Sequence, residues 1–166
     1  MPRVLIVAYG NPLRSDDGVA WRAADALSDK FSSDVEIVRL HQLMPEMAET
    51  VSHCQCVIFI DASSPVPGQS EAGTIRIEEL RLDKFDCDAT RFSHSVSSQA
   101  VIALAEKLFG ASPKAYVATV TGENFEHADC LSPSVRAALP GLIAEIESLV
   151  KTVLASGALP TCSTKP

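Results

Sequence analysis

Residues Val4 to Ala8 form an unbroken apolar run, rich in β-branched side chains, that halts at Gly10-Asn11-Pro12. A run this short, with no polar alternation, reads as a strand buried on both faces, and a sheet covered by helices on each side provides that environment. Glycine and proline break the strand and open a turn. After Asp16-Asp17-Gly18 the apolar spacing becomes helical, with Val19, Ala20, Ala23, Ala24 and Leu27 on one side, so a first helix is expected from about Asp17 to Ser28. Asp16 and Asp17 therefore fall where the C-terminal end of a strand meets the start of a helix. In open α/β sheets, ligands bind at that edge.

The same alternation continues along the chain. Val35 to Leu40 is a second strand, and Pro45 suits the first turn of a helix carrying Met47, Ala48 and Val51. Cys56 to Ile60 is a third, almost wholly apolar strand that ends directly on Asp61. Ser63 to Gly73 reads as a loop, Thr74 to Ile77 as a short extra strand, and Glu78 to Ala89 as charged surface. A helix of about 12 residues follows His94 and stops at Gly110. Lys114 to Val120 is another inner strand, Thr121 to Cys130 a long loop, and Ser132-Pro133 a helix start. The last helix carries apolar positions from Val135 to Val153, and Pro140 is expected to kink or split it.

This pattern predicts a single three-layer α/β/α domain with a twisted, mostly parallel central sheet of about five strands. The domain is expected to span residues 1–156, with residues 157–166 as a flexible tail. At 166 residues the chain suffices for one full core. A net charge of -7 without a basic cluster argues against nucleic acid and anionic membrane as partners. No apolar run approaches a membrane span, and Met1-Pro2-Arg3 leads into the first strand without the plan of a signal peptide, so a soluble cytoplasmic protein is expected. The five cysteines are scattered and read as free thiols, Cys54 and Cys56 as buried structural ones.

Three residues from separate segments converge on the one sheet edge: Asp17, Asp61 and His94. Each has a local explanation. One aspartate of the pair Asp16-Asp17 caps a helix, a task asparagine performs at little cost; Asp61 can cap its turn, and His94 can cap the helix it precedes. As a set, two carboxylates and one imidazole suit a divalent first-row metal, nickel or zinc included, with positions left open for substrate. Other chemistries fail on spacing, since the chain has no phosphate-binding P-loop, no three-glycine dinucleotide fingerprint and no serine-hydrolase elbow. A phospho-acceptor receiver module shares the acidic pair and the strand-ending aspartate. Here, however, a loop holds the pair off the strand, and Lys114 to Val120 leads into Thr-Gly-Glu without the lysine such a module uses.

The motif Gly10-Asn11-x-Leu13-x-x-Asp16-Asp17-Gly18, the strand ending in Asp61, His94 before a helix, Gly122-Glu123, and Leu131-Ser132-Pro133 together resemble the hydrogenase maturation endopeptidases, from about Arg3 to Val153. That family removes a short C-terminal extension from the nickel-loaded precursor of a nickel-iron hydrogenase large subunit. The resemblance implies that the precursor is the partner and that nickel arrives with it and is not resident. Asp17, Asp61 and His94 would sense the metal and carry the hydrolysis. A maturation chaperone that binds nickel without cleaving is the non-enzymatic alternative. The second acidic position is often glutamate in the family and is Asp17 here. Where many members have an Asp-Gly-Gly-Thr-like turn, this chain has His41-Gln42-Leu43-Met44-Pro45-Glu46, which resembles the branch associated with bidirectional or NAD-reducing hydrogenases. Gly10, Asn11, Asp16, His41 and Gln42 are accordingly the candidates for loops that meet the substrate.

Overall fold

The computed structural model describes residues 2–82 and 96–156. Strands β1 (Val4–Tyr9), β2 (Val35–Leu40), β3 (Cys56–Ser63), β4 (Ile75–Glu79) and β5 (Lys114–Thr121) alternate with helices α1 (Val19–Leu27), α2 (Met47–Ser52), α3 (Ser98–Phe109) and α4 (Pro133–Ala155). They form one five-stranded sheet in the order β2-β1-β3-β5-β4. All neighbours run parallel except β4, which pairs antiparallel with β5 at the edge. The chain leaves β1 toward β2 on one side and returns to β3 on the other. The sheet's topological switch point, where such folds bind ligands, therefore lies between the C-terminal ends of β1 and β3.

Side chains along β1 divide between two cores. Val4, Ile6 and Ala8 face α1 and α4, where they pack with Ala23, Leu27, Leu142 and Ile146. Leu5 and Val7 face the other way and pack with Val51, Val101 and Ala105 of α2 and α3. This two-sided burial explains the unbroken apolar runs and gives the expected three layers. No helix among the described residues is long and apolar enough to cross a membrane. Cys54 and Cys56 are buried free thiols, pushed up by burial to about 11 and about 12 respectively.

Several boundaries differ from those the pattern suggested. Ser15–Gly18 forms a 3-10 turn, so α1 begins at Val19 and not at Asp17. Likewise α2 starts at Met47, after Pro45. β3 continues past Ile60 through Asp61 to Ser63, because the backbone goes on pairing with Thr119 to Thr121 of β5 whatever the side-chain polarity. α4 is one 23-residue helix, undivided at Pro140. A proline inside a helix costs about 3 kcal/mol. Val135 before it and Leu142, Ile146 and Val150 after it all enter one core, each contributing roughly 1.5–3 kcal/mol of burial along a common axis.

Candidate active site

The loop after β1 carries the first carboxylates. Gly10 has φ +140°, and a Cβ there would lie 2.2 Å from the Asp17 carbonyl oxygen, so only glycine lets the chain fold back so closely. The backbone N–H of Asn11 donates to Asp17 Oδ2 at 2.8 Å, and the side-chain carbonyl of Asn11 accepts from the N–H of Leu13 at 2.9 Å. Gly10 and Asn11 thus shape the loop that holds Asp17 half-buried at its mouth.

Asp61 stands on β3 at the switch point. Continuing the β1–β3 register one step beyond the pair Ala8 and Ile60 places Tyr9 beside it. Asp61 Oδ1 accepts from the N–H of Ala62 at 2.8 Å. Burial, reinforced by the charge of Asp17, pushes the Asp61 carboxyl up to about 6, against the opposing pull of the Tyr9 phenol and the Ala62 N–H. Burial and the neighbouring Asp61 carboxylate in turn raise the Tyr9 phenol far above its ordinary value, so it is neutral and able to donate. The structure therefore brings Asp17 and Asp61 within electrostatic range of each other at one edge. Neither is ion-paired with a lysine or arginine among the described residues.

His94 lies outside the described residues. Among those described, no three histidine, cysteine, aspartate or glutamate side chains group closely enough to hold an ion. The two carboxylates are consequently a partial donor set: hard, anionic oxygen donors of the kind a divalent cation accepts, with room for others.

Asp16 has a different place from the one its sequence position suggested. It is 0% exposed, so it is not a substrate-contacting residue. Its Oδ2 accepts from the N–H groups of Glu123 and Asn124 at 2.8 and 2.9 Å, and its Oδ1 from the N–H of Ser132 at 2.7 Å. Burial alone would raise this carboxyl, but the backbone donors outweigh it and hold the group below the usual carboxylate range. Asparagine would turn an NH2 group toward at least one of these donors, so the replacement is not the cheap capping swap that local sequence implied.

His41 is exposed and tilts against the indole of Trp21, with ring centroids 5.1 Å apart, while the indole N–H donates to the Leu40 carbonyl at 3.0 Å. Gln42 is exposed too, with its amide toward the sulfur of Met44 at 3.6 Å. Both belong to the rim after β2 and not to the carboxylate pair. Tyr9 is the site residue that pattern reading missed: it ends an apolar run and looks like the start of the loop, and only the strand register shows what it faces.

No protein-family model matches the chain, and no curated protein sequence matches it. Solved structures do. The hydrogenase maturating endopeptidase HybD from E. coli superposes with a TM-score of 0.68 at 22% identity, over 93% of this chain and 94% of that one. A solution structure of an endopeptidase from Escherichia coli gives 0.74 at 21% identity, over 98% and 99%. A [NiFe] hydrogenase maturation protease HycI from Thermococcus kodakarensis KOD1 gives 0.67 at 20%, over 90% and 92%. Nearly the whole length of each chain is matched in all three, so the protein has the fold of the hydrogenase maturation endopeptidases.

Proposed function

We propose that this protein is an endopeptidase that removes a short C-terminal extension from the nickel-loaded precursor of a nickel-iron hydrogenase large subunit. The observation that supports this most directly is the pair Asp17 and Asp61: two carboxylates close enough for the charge of one to raise the other, at the switch point of a fold shared with proteins named as hydrogenase maturation endopeptidases. Such a pair gains most from a cation brought to it. The ion belongs to the substrate, and Asp17 and Asp61, with His94 as the third donor, are its ligands on the protease side.

With the ion in place, its charge polarises the scissile carbonyl or acidifies a water that attacks it, and no protein nucleophile is needed. The chain itself keeps Asp17 on its loop through the Asn11 N–H, fixes Asp61 through the Ala62 N–H and the Tyr9 phenol, and leaves the remaining lone pairs open to the ion. Burial holds the Asp61 carboxyl above its ordinary value, so a proton competes with the cation as pH falls through about 6 and ion binding should weaken in acid.

The test is cleavage of purified large-subunit precursor, with and without nickel, by enzyme treated with chelator and desalted. Cleavage of the loaded precursor alone is expected. Equal cleavage of nickel-free precursor, or recovery only when metal is returned to the protease by itself, would replace the substrate-borne ion with a resident one. Nickel-dependent binding of the precursor without any cleavage would instead favour the chaperone.

A further inference from the structure

On the face of the sheet that carries Tyr9 and Asp61, one rung of side chains crosses from strand to strand. Asp61 is in register with Thr119 of β5, and Thr119 is in register with Arg76 of β4. Directly opposed residues on neighbouring strands point to the same face, so these side chains form a row with a spacing of about 4.8 Å, and Arg76 stands roughly 10 Å from Asp61. A groove of about 180 Å3 runs over this end of the row, lined by the hydroxyl residues Ser63, Ser64, Ser70, Thr119 and Thr121 together with Arg76.

The lining is chemically asymmetric. Its floor carries hydroxyl groups, which serve both N–H and C=O of a passing peptide, beside the apolar side chains of Val66 and Val117. Arg76 is its cation, and one Nη2–H donates to the Gln69 carbonyl at 3.2 Å, which steadies the guanidinium while leaving other donors for a ligand. Glu78, in register with Val117 and so one rung away from the Asp61 row, lines the groove as well. A ligand that is anionic along its length is therefore repelled at Glu78 and again at Asp61. One carrying a single carboxylate opposite Arg76 is not.

We infer that this groove is the subsite for the substrate chain next to the bond that is cut, and that Arg76 takes an acidic side chain of that substrate. The inference rests on the processing activity proposed above. An extended peptide rises about 3.3 Å per residue, so the carboxylate lies about three residues from the bond held at Asp61. Its recognition is a charge-assisted pairing with a planar guanidinium, which lysine reproduces only in part.

Nickel-loaded cognate precursor is cleaved by the wild-type protein, R76E, R76Q and R76K, with folding of each checked by circular dichroism. R76E is expected to raise KM about tenfold or more with kcat within about twofold, R76Q to fall between, and R76K to be closest to wild type. Replacing single Asp or Glu residues within four positions of the cut by lysine should then produce one precursor that R76E cleaves better than wild type does. Unchanged KM in folded R76E and R76Q, a cut with no acidic residue within that window, or the lack of any restoring precursor would each overturn the subsite. If the wild-type protein leaves the loaded precursor intact, the processing activity itself fails, and the subsite with it.

Discussion

The carboxylate of Asp16 and the backbone N–H of Ser132 meet at 2.7 Å across 116 residues of sequence. With Glu123 and Asn124 on the other oxygen, one buried side chain fastens the loop after β1 to the loop after β5 and to the N-terminus of α4. Asp16→Asn should therefore destabilise the fold by about 2–4 kcal/mol, read as a lower denaturant midpoint with unchanged slope. Because folding lowers the pKa of Asp16, its contribution is present above the ordinary carboxylate value and fades in acid, so the gap between variant and wild type should narrow as pH falls below about 4.

Asp61 should show the opposite linkage. Its carboxyl is raised from an ordinary 3.8 to about 6, so the folded state binds the extra proton between those values and loses stability as pH rises through them. Asp61→Asn is expected to stabilise the protein by about 1–2 kcal/mol at pH 7, an advantage that shrinks on titration to about pH 4. The same variant should lose processing. A thermal-melt series over pH checks the first half and precursor cleavage the second. A variant less stable than wild type at pH 7 would refute the burial argument.

For Asp17 the expectation is selective damage. Asparagine keeps one oxygen to accept the Asn11 N–H, so Asp17→Asn should change stability by less than about 1 kcal/mol while lowering processing by about 100-fold or more. His94→Ala should likewise lose processing and fold normally. Retained cleavage in either would remove that residue from the ligand set.

Gly10→Ala tests the loop that carries Asp17. With φ +140° and a backbone oxygen 2.2 Å from the new methyl carbon, the loop must move or the fold must strain. A loss of about 3 kcal/mol or more is expected, together with reduced nickel-dependent cleavage even at temperatures where the variant remains folded.

Much of this architecture was legible because burial on both faces leaves a plain signature: Val4–Ala8 and Cys56–Ile60 hold their apolar character without alternation. The capping of α4 by Ser132, whose hydroxyl accepts from the Val135 N–H, was equally local. What stayed hidden depended on partners far along the chain. Asp16 and Asp17 are adjacent and identical in type, yet one is sealed by donors from beyond residue 122 and the other opens at the mouth. The extension of β3 through Asp61 and the facing of Tyr9 follow from strand register, to which side-chain polarity is blind.

The fastening of the first loop by the last also sets a schedule. Asp16, Ser15 and Leu13 draw their partners from residues 123 to 132, through the Ser15 N–H to the Ala128 carbonyl at 2.8 Å and the Ala128 N–H to the Leu13 carbonyl at 3.0 Å. On the ribosome the chain emerges N-terminus first. The loop bearing Asp17 thus leaves the tunnel early but cannot be braced until residue 132 has followed. A nascent chain stalled before that point can pair β1 with β2 and β3 but lacks the backbone donors that hold Asp16, so the loop bearing Asp17 is left unbraced.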